Sequence, residues 1–468
     1  MSTGNSNSND LTDSFQWDTV FAIKIRDVNA AIKEAGSSPA KMDYTMDDGT
    51  EVVCSFDDWS IDSSGDGSLI HLLIPVQTCA TTMNEKTITI NSFSVIPEVR
   101  LNFYDANQSD PNSTGIFQNL KVKSHQDSPD DQLISGVSLD FGQQKVSTIL
   151  QGIITAAFQE WLSANIKFFD HIFATVNLNK LSADGSYQWL YPIKVNYAFL
   201  NNADVPDDSI LGVLCITEKP IPDNLIIEVS HNSIPALSSA GFLISQSRLI
   251  QKMILPSLPS AFQGLTADDF NVTNQGKSIE LKSIDKSFTV TQDGKAYTAN
   301  LEAFILSLKG QQLTLHCETK TEIVPGIYAS TSSDHTYELG LYTKKNGKQS
   351  ITYKEIGKPV VIQSTSEDEG VTITEIITSI IAGIIVGILA FLTAGLVFVA
   401  VVIIGGLLVG LIATTSDIIR LIGTDDAPDI SLLLLNCTQP IQWTGQKNFT
   451  LNSVALNGPL QLGGTFKG

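Results

Sequence analysis

The feature that most constrains this chain is a long stretch without charge near its C-terminal end. No charged residue occurs in residues 376–416, where Ile, Val, Leu, Ala and Gly dominate. One straight helix of that length would span about 60 Å, twice the roughly 30 Å hydrocarbon thickness of a bilayer. We therefore predict an apolar helical hairpin, with two helices of about 18 residues that turn near 393–395.

Small residues within this stretch favour close packing of the two helices. Gly383 and Gly387 form one GxxxG pair, and Gly406 and Gly410 form a second. Such pairs let helix backbones approach closely. The stretch has acidic flanks, no cluster of Lys or Arg, and no Trp or Tyr belt to anchor it in a membrane. Three interpretations stay open: a hairpin sheltered in the soluble fold or in a homo-oligomer, a hairpin inserted into a membrane, and plain structural core.

The charge balance argues against nucleic acid as a partner. The chain has 468 residues, with 29 basic and 49 acidic side chains and a formal net charge of -20. Nucleic-acid binders need a basic face that displaces counterions. The polar first residues lack the basic start and apolar core of a signal peptide. We therefore expect the cytoplasm of the producing cell, with release by another route and membrane association as open alternatives.

The sequence contains no recognisable catalytic, cofactor or metal motif. The five cysteines are scattered and never paired as CxxC, which predicts buried free thiols. None of the six histidines has a partner at metal-ligand spacing. The segment "QGKS" ends like a phosphate-binding loop, but Asn271 replaces the glycine that such a loop needs. We predict a protein that is not an enzyme and that needs no cofactor or metal.

Hydrophobic spacing predicts one long helix in the first half, over residues 146–169. Its apolar residues recur every three or four positions, and we expect five of them to face a curved sheet and to contact lipid: Ile149, Ile153, Phe158, Trp161 and Leu162. A shorter helix in the second half should be stopped by Pro256 and Pro259. Short β-strands fill most of the rest.

A β-hairpin is indicated around Asn346-Gly347, a dipeptide typical of type I′ turns. Lys344, Lys345 and Lys348 surround this turn. We predict that they form an exposed basic tip. Contact with anionic headgroups is worth about 1 kcal/mol per basic residue near such a surface.

Three patches of the sequence resemble a known family. They are "WDTVFAIKIRDVNAAI" from Trp17, "GFLISQSRLIQKMILPSLPSAF" from Gly241, and "PIQWTGQKNFTLNSVALNGPLQLGG" from Pro440. They are similar to the OrfX proteins and their forty-seven-kilodalton relative, which are encoded in clostridial neurotoxin gene clusters and related insecticidal clusters. The resemblance covers about sixty residues directly.

The resemblance implies an α+β fold of the TULIP (tubular lipid-binding) type, in which highly curved antiparallel sheets wrap long helices. The polar composition of residues 1–14 predicts a disordered tail. The repeated order of strands and helix, together with the resemblance, predicts an N-terminal module at 15–235 and a C-terminal module at 236–468 that includes the hairpin 376–416. The resemblance also implies a toxin-accessory protein that holds lipid in a tubular groove. The implied partners are phosphoinositide lipid and sister accessory proteins or the toxin. The alternative function is a membrane-inserting or pore-forming component that uses the hairpin.

Overall fold

The computed structural model describes residues 11–106, 116–124, 132–178, 189–262, 264–347, 349–358, 360–368, 373–408, 439–447 and 449–466. Within these ranges the chain forms 24 β-strands and five α-helices, so the protein is β-rich. Every strand pair described is antiparallel.

The first half, up to residue 216, contains two helices and twelve strands. The helices are α1 (Ile25–Ala35) and α2 (Thr148–Asn165), and a 3₁₀ turn at Ile166–Phe168 continues α2. The strands are β1 (Thr19–Lys24), β2 (Lys41–Thr45), β3 (Glu51–Phe56), β4 (Ser60–Asp66), β5 (Leu69–Met83), β6 (Lys86–Val99), β7 (Leu101–Asp105), β8 (Phe117–Val122), β9 (Gly136–Asp140), β10 (Ala174–Asn177), β11 (Lys194–Leu200) and β12 (Ile210–Ile216).

The second half adds three helices and twelve strands. The helices are α3 (Gln246–Leu249), α4 (Leu255–Ala261) and α5 (Glu375–Leu408), with a π-helical turn at Ile250–Ile254 between α3 and α4. The strands are β13 (Ala240–Ile244), β14 (Phe270–Thr273), β15 (Ser278–Leu281), β16 (Ser287–Gln292), β17 (Lys295–Lys309), β18 (Gln312–Val324), β19 (Ile327–Thr343), β20 (Gln349–Glu355), β21 (Val360–Glu367), β22 (Ile441–Trp443), β23 (Thr450–Leu456) and β24 (Leu460–Thr465).

A six-stranded central sheet brings the two ends of the chain together. Its order is β11-β12-β1-β13-β24-β23, so β13 lies between the first strand and the last. A four-stranded sheet, β22-β10-β8-β7, repeats this pattern because β22 pairs with β10. Strands from both predicted modules therefore share these two sheets.

A curved sheet surrounds α2. The strand order is β2-β3-β5-β6-β9, and α2 contacts both β2 and β9 at its opposite edges. A flat sheet of five strands would be about 19 Å wide at its usual spacing, too wide for one helix of about 10 Å to touch both edges. The sheet must therefore curl around the helix, as the resemblance implies.

An eight-stranded sheet surrounds α5 in the same manner. Its order is β14-β15-β17-β18-β19-β20, with β16 added on β17 and β21 on β19. The helix contacts β16, β18, β19 and β20, and also α4. Each half of the molecule thus has one helix in the hollow of an antiparallel sheet.

Several local predictions need correction. The predicted turn at 393–395 is wrong, because α5 runs through it as one helix of 34 residues, about 51 Å long. Pro256 does not end the helix before it, since the π-helical turn at Ile250–Ile254 leads directly into α4. A π-turn widens the helix locally, which gives room for the ring that would clash with the carbonyl four residues earlier.

The predicted disordered tail differs in detail from the structure. Residues 11–14, placed in the disordered tail, lie against the protein, and Thr12 is buried and bonded to Asn232 and Asn457. Residues 1–10 lie outside the described residues.

The predicted β19–β20 hairpin is present, but its loop is longer than a two-residue type I′ turn. The N–H of Gly347 donates to the carbonyl of Lys344, and Gly347 is the residue with positive φ.

Candidate apolar interaction surface

One face of α5 is buried in the hollow of the eight-stranded sheet. The buried side chains recur every three or four residues: Ile381, Ile384, Ile385, Ile388, Leu392, Leu396 and Val399. Phe391 stacks on Phe288 of β16 with ring centroids 4.0 Å apart, and it also contacts Phe262 at the end of α4. The helix is therefore part of the core of the C-terminal half.

Three glycines bring α5 close to its neighbours. A Cβ at Gly383 would overlap the side chain of Gln292, one at Gly387 would overlap Val290, and one at Gly395 would overlap the ring of Phe262. The first GxxxG pair thus serves close approach to strand β16, whereas we had predicted approach to a second helix. Gly406 lies near the end of α5, and Gly410 lies outside the described residues.

The opposite face of α5 is left uncovered by the part of the chain that the structure describes, and it is mostly apolar. Val386 is 66% exposed and Ile376 is 74% exposed. Ala382, Ala390 and Ala394 are exposed at four-residue spacing with Val386, and the polar Thr378 and Ser379 are exposed near the start of the helix. A surface helix normally carries charged residues on its outer face, and a helix that is apolar all round is usually buried or in a membrane. Glu375 is the only charged residue of α5, so this bare face needs an apolar cover.

The length of α5 suits a bilayer. Over Glu375–Val397 it is long and apolar enough to cross a membrane, yet only 39% of its most apolar 18 residues are buried. These 23 residues span about 35 Å as a helix, close to the roughly 30 Å hydrocarbon thickness. Among the described residues no other helix passes this test.

A buried histidine faces the middle of α5. His335 of β19 is 1% exposed, and its Nδ1 lies 3.5 Å from the Thr393 hydroxyl. Burial lowers the pKa of His335 below its usual value, while Glu355 and Asp334 act in the opposite direction. The imidazole is therefore neutral at neutral pH, so it adds no charge to the surface of β19 that packs against α5.

The predicted lipid-facing residues of α2 separate into two groups. Phe158, Trp161 and Leu162 are buried, and Phe56 of β3 packs on the first two with ring centroids 6.0 and 5.9 Å apart. Ile153 is half-buried, and Ile149 is 77% exposed. The inward orientation predicted for Ile149 is wrong, because the buried face runs through Leu150, Ile154 and Ala157, one position further along.

The predicted basic tip is only partly exposed. Lys344 is 7% exposed, contrary to expectation, whereas Lys345 is exposed. Lys348 lies outside the described residues. Lys345 is therefore the exposed member of this set among the described residues.

A polar cavity that the sequence did not predict lies where the two halves meet. Its volume is about 730 Å³, and it is lined by the N-terminal segment, the start of α3 and three turns. Asp18 on its wall is already paired with Arg248, at 2.7 Å, and accepts from the backbone N–H of Thr217. The remaining lining includes Lys277 of the "QGKS" segment, Asp13 and several hydroxyl and amide groups: Thr12, Ser14, Gln16, Ser245, Gln246, Ser247 and Gln275.

This cavity suits a ligand with both hydrogen-bond donors and acceptors, since acidic and basic groups lie on the same wall. The lining comes from all three patches of the family resemblance and from the "QGKS" segment. These segments lie far apart in the chain, so no local motif marks them as one site. Within the described ranges, no group of three His, Cys, Asp or Glu residues is placed to hold a metal ion.

The fold and surface define a class: a β-rich α+β protein with antiparallel sheets and few helices, one of them a long apolar helix left half bare. The chain belongs to the OrfX-like family, described as protein OrfX2/OrfX3/P47, which matches residues 14–464. It is 32% identical to protein OrfX3 of Paraclostridium bifermentans, over 97% of this chain and 98% of the relative. It is 31% identical to protein OrfX3 of Clostridium botulinum (strain Kyoto / Type A2), over 97% and 99%.

Solved structures show the same fold. P47 from Clostridium botulinum A2 superposes with a TM-score of 0.65 at 18% identity, over 97% of this chain and 98% of that one. P47 of Clostridium botulinum E1 gives the same TM-score and identity, over 97% and 100%. The predicted family is confirmed, and the β-rich α+β fold is similar to that of the P47 structures.

Proposed function

We propose that this protein is a non-enzymatic, lipid-binding accessory protein of a toxin gene cluster, and that the bare face of α5 is its main lipid contact. The observation that carries the proposal is the stretch Glu375–Val397 of α5, which is charged only at its first residue, is long enough to cross a bilayer, and has less than half of its most apolar 18 residues buried. Family membership supports the accessory role. The two helices in the hollows of curved antiparallel sheets support a TULIP-type fold.

Lipid is the partner that best matches the exposed apolar face of α5. Burial of apolar surface gains about 25 cal/mol per Å², so a bare helix without a cover would be unfavourable in water. The absence of any charged residue over residues 376–416 matches an environment without water. A second copy of the chain or a sister accessory protein could cover the same face, and an experiment must separate these partners from lipid.

The groove around α2 is a second place for lipid. Phe158, Trp161 and Leu162 are buried beneath Phe56 and neighbouring side chains, so an acyl chain would have to displace them. We therefore rank α5 first, with Ile153 and the exposed Ile149 at the open end of α2 as the secondary contact. Lys345 would add electrostatic attraction to a phosphoinositide headgroup.

The experiment is vesicle flotation with the full chain and a variant of the bare face. Val386→Asp places a charge at the centre of this face, where the side chain is 66% exposed and the fold should tolerate it. We expect the unchanged chain to float with vesicles of phosphatidylcholine that also contain phosphatidylinositol phosphate, an anionic lipid. The variant should lose most of this binding. Leu237→Asp, at a turn residue 92% exposed, is the matched control and should float normally.

Two outcomes would overturn the proposal. One is absence of flotation for the unchanged chain, and the other is equal flotation of both variants. Size-exclusion chromatography of the same proteins tests the competing cover: if Val386→Asp converts an oligomer to a monomer, the face binds protein. The membrane-inserting alternative predicts that bound protein resists alkaline carbonate and releases an encapsulated dye, whereas peripheral lipid contact predicts neither.

An accessory role implies that the producing cell releases the protein, and we include this release in the proposal. Immunodetection in culture supernatant and in salt-washed membranes would locate it. Generic hydrolase assays on the purified chain would test the non-enzymatic part.

A further inference from the structure

Two buried cysteines lie directly opposite each other in the sheet that surrounds α2. Cys54 of β3 pairs with Cys79 of β5 in antiparallel register. The two side chains are 2% and 0% exposed, and both point to the inner face of the sheet. The Sγ atoms are 2.7 Å apart, with Cys54 donating to Cys79.

We propose that Cys54 and Cys79 form a modification site that closes to an intramolecular disulfide when the protein meets an oxidant of the hydroperoxide class. The backbone already has the required geometry. Opposite residues in an antiparallel pair have Cα atoms about 4.5–5.5 Å apart, inside the roughly 4.4–6.8 Å range that a disulfide needs. No strand has to move to bring the sulfurs together.

The surroundings of the two thiols shift their pKa values in opposite directions. The hydrogen bond donated by Cys54 lowers the pKa of Cys79, and the same interaction together with burial raises the pKa of Cys54. The thiolate is the reactive form of cysteine, so Cys79 is the first nucleophile. Cys54 then resolves the intermediate.

The reaction balances with one peroxide molecule. The sulfur of Cys79 attacks one peroxide oxygen, the O–O bond breaks, and the leaving hydroxide takes the thiol proton to form water. Cys79 is now a sulfenic acid. The sulfur of Cys54 attacks it, the S–O bond breaks, and the departing hydroxide leaves with the Cys54 proton as a second water. Two thiols lose two electrons, and the peroxide gains them.

The bond would fix the curved sheet on its helix. Phe56, two residues after Cys54 on the same face of β3, packs on Phe158 and Trp161 of α2. A covalent link between β3 and β5 therefore holds the strand that covers the centre of α2. The oxidised protein should resist opening of this sheet more than the reduced protein does.

The test is quantitative oxidation of the native full chain by hydrogen peroxide. Free thiols are counted after unfolding, and alkylation before and after reduction is mapped by peptide mass spectrometry. We expect the five thiols of the chain to fall to three, with Cys54 and Cys79 protected until dithiothreitol is added, and with a higher melting temperature in the oxidised form. Cys317→Ser is the matched control, because Cys317 is equally buried but has no opposite cysteine, and it should still lose two thiols.

Cys54→Ser lacks the resolving thiol, so Cys79 should form no bridge that dithiothreitol can reduce under the same mild dose. The mapping of the unchanged chain does not depend on how well any variant folds. Five intact thiols after oxidation, a bridge between other cysteines, or pairing that occurs only in urea would each refute the proposal.

Discussion

At the scale of single residues, burial decides which side chains have unusual chemistry. His171 is 3% exposed, and its ring packs edge-on against Trp59 and Phe173 with centroids 6.4 and 5.2 Å away. Burial lowers the pKa of His171 to about 4, although Asp170 acts in the opposite direction. The folded protein therefore holds this imidazole neutral far below the pH at which an unfolded chain would protonate it.

We predict that His171 makes the fold sensitive to acid. Its pKa is lower in the folded chain than the value of about 6.5 expected when unfolded, so the unfolded chain binds more protons in between. Stability should fall as the pH drops from about 6.5 to about 4, by up to about 3 kcal/mol. Urea unfolding at several pH values measures this, and His171→Phe should make the profile less steep over this window, with the contribution of His335 remaining. His316→Gln, at a half-buried histidine, should keep the slope, and an identical slope for His171→Phe would contradict the prediction.

The residues of α2 show what a sequence can and cannot place. The three-or-four spacing correctly predicted a helix with Phe158, Trp161 and Leu162 inside. It failed for Ile149, because apolar residues occur on two sides of this helix and spacing alone does not say which side the sheet covers. The predicted exposure of Lys344 is wrong for a related reason. A basic residue beside a turn is usually exposed, and only tertiary packing buries it.

At the scale of elements, α5 combines a core helix and a surface helix in one segment. Its glycines let it sink between β16 and the end of α4, and its other side remains bare. Gly383 and Gly387 serve close approach, as the GxxxG spacing predicts, but the neighbour is strand β16 and not a second helix. The prediction missed this neighbour because a strand and a helix can use the same small residues. The turn predicted at 393–395 is wrong because the eight-stranded sheet and α4 accommodate one straight helix that is longer than a bilayer is thick.

We predict opposite effects for two glycine substitutions in α5. Gly395→Ala would push a methyl group into Phe262, which is fully buried and held against Phe304 by ring centroids 5.0 Å apart. Overpacking of this kind costs about 1–3 kcal/mol, more than the 0.5–1 kcal/mol or so gained in helix propensity. The free energy of unfolding should therefore fall by about 1–2 kcal/mol.

Gly383→Ala is the matched substitution on the same helix. Its methyl group meets only the end of the flexible, half-buried Gln292 side chain, which can move aside. Stability should be unchanged or should rise by up to about 1 kcal/mol. Denaturant unfolding of both variants gives the comparison, and equal losses would mean that α5 does not pack on α4 and β16 as described.

At the scale of the whole molecule, the two halves are linked by shared sheets. The sequence suggested the repeated arrangement of curved sheet plus helix, and each half has one. It could not suggest that β22, β23 and β24 return to the N-terminal half, because antiparallel pairing of distant strands leaves no local pattern. The polar cavity between the halves escaped prediction for the same reason.

We predict that the C-terminal strands are needed by the N-terminal half. A chain ending at residue 438 lacks β22, β23 and β24, which leaves β13 and β10 as unpaired edges and removes apolar partners such as Leu462, which lies opposite Phe242. It should aggregate or melt without cooperativity in calorimetry and size-exclusion chromatography. A chain ending at residue 466 keeps all described strands and serves as the control. A monomeric chain to residue 438 with the normal melting curve would show that the halves are independent.

The position of β13 between the first and the last strand also bears on synthesis of the protein. A ribosome releases β1 and β13 before α5, and β24 after it. The apolar α5 therefore leaves the ribosome before the strands that complete the central sheet exist, although the eight-stranded sheet that holds it is already synthesised. During that interval its exposed apolar face is of the kind that membranes and chaperones both recognise. The order of the strands thus determines that this face meets its cellular surroundings before the central sheet can close.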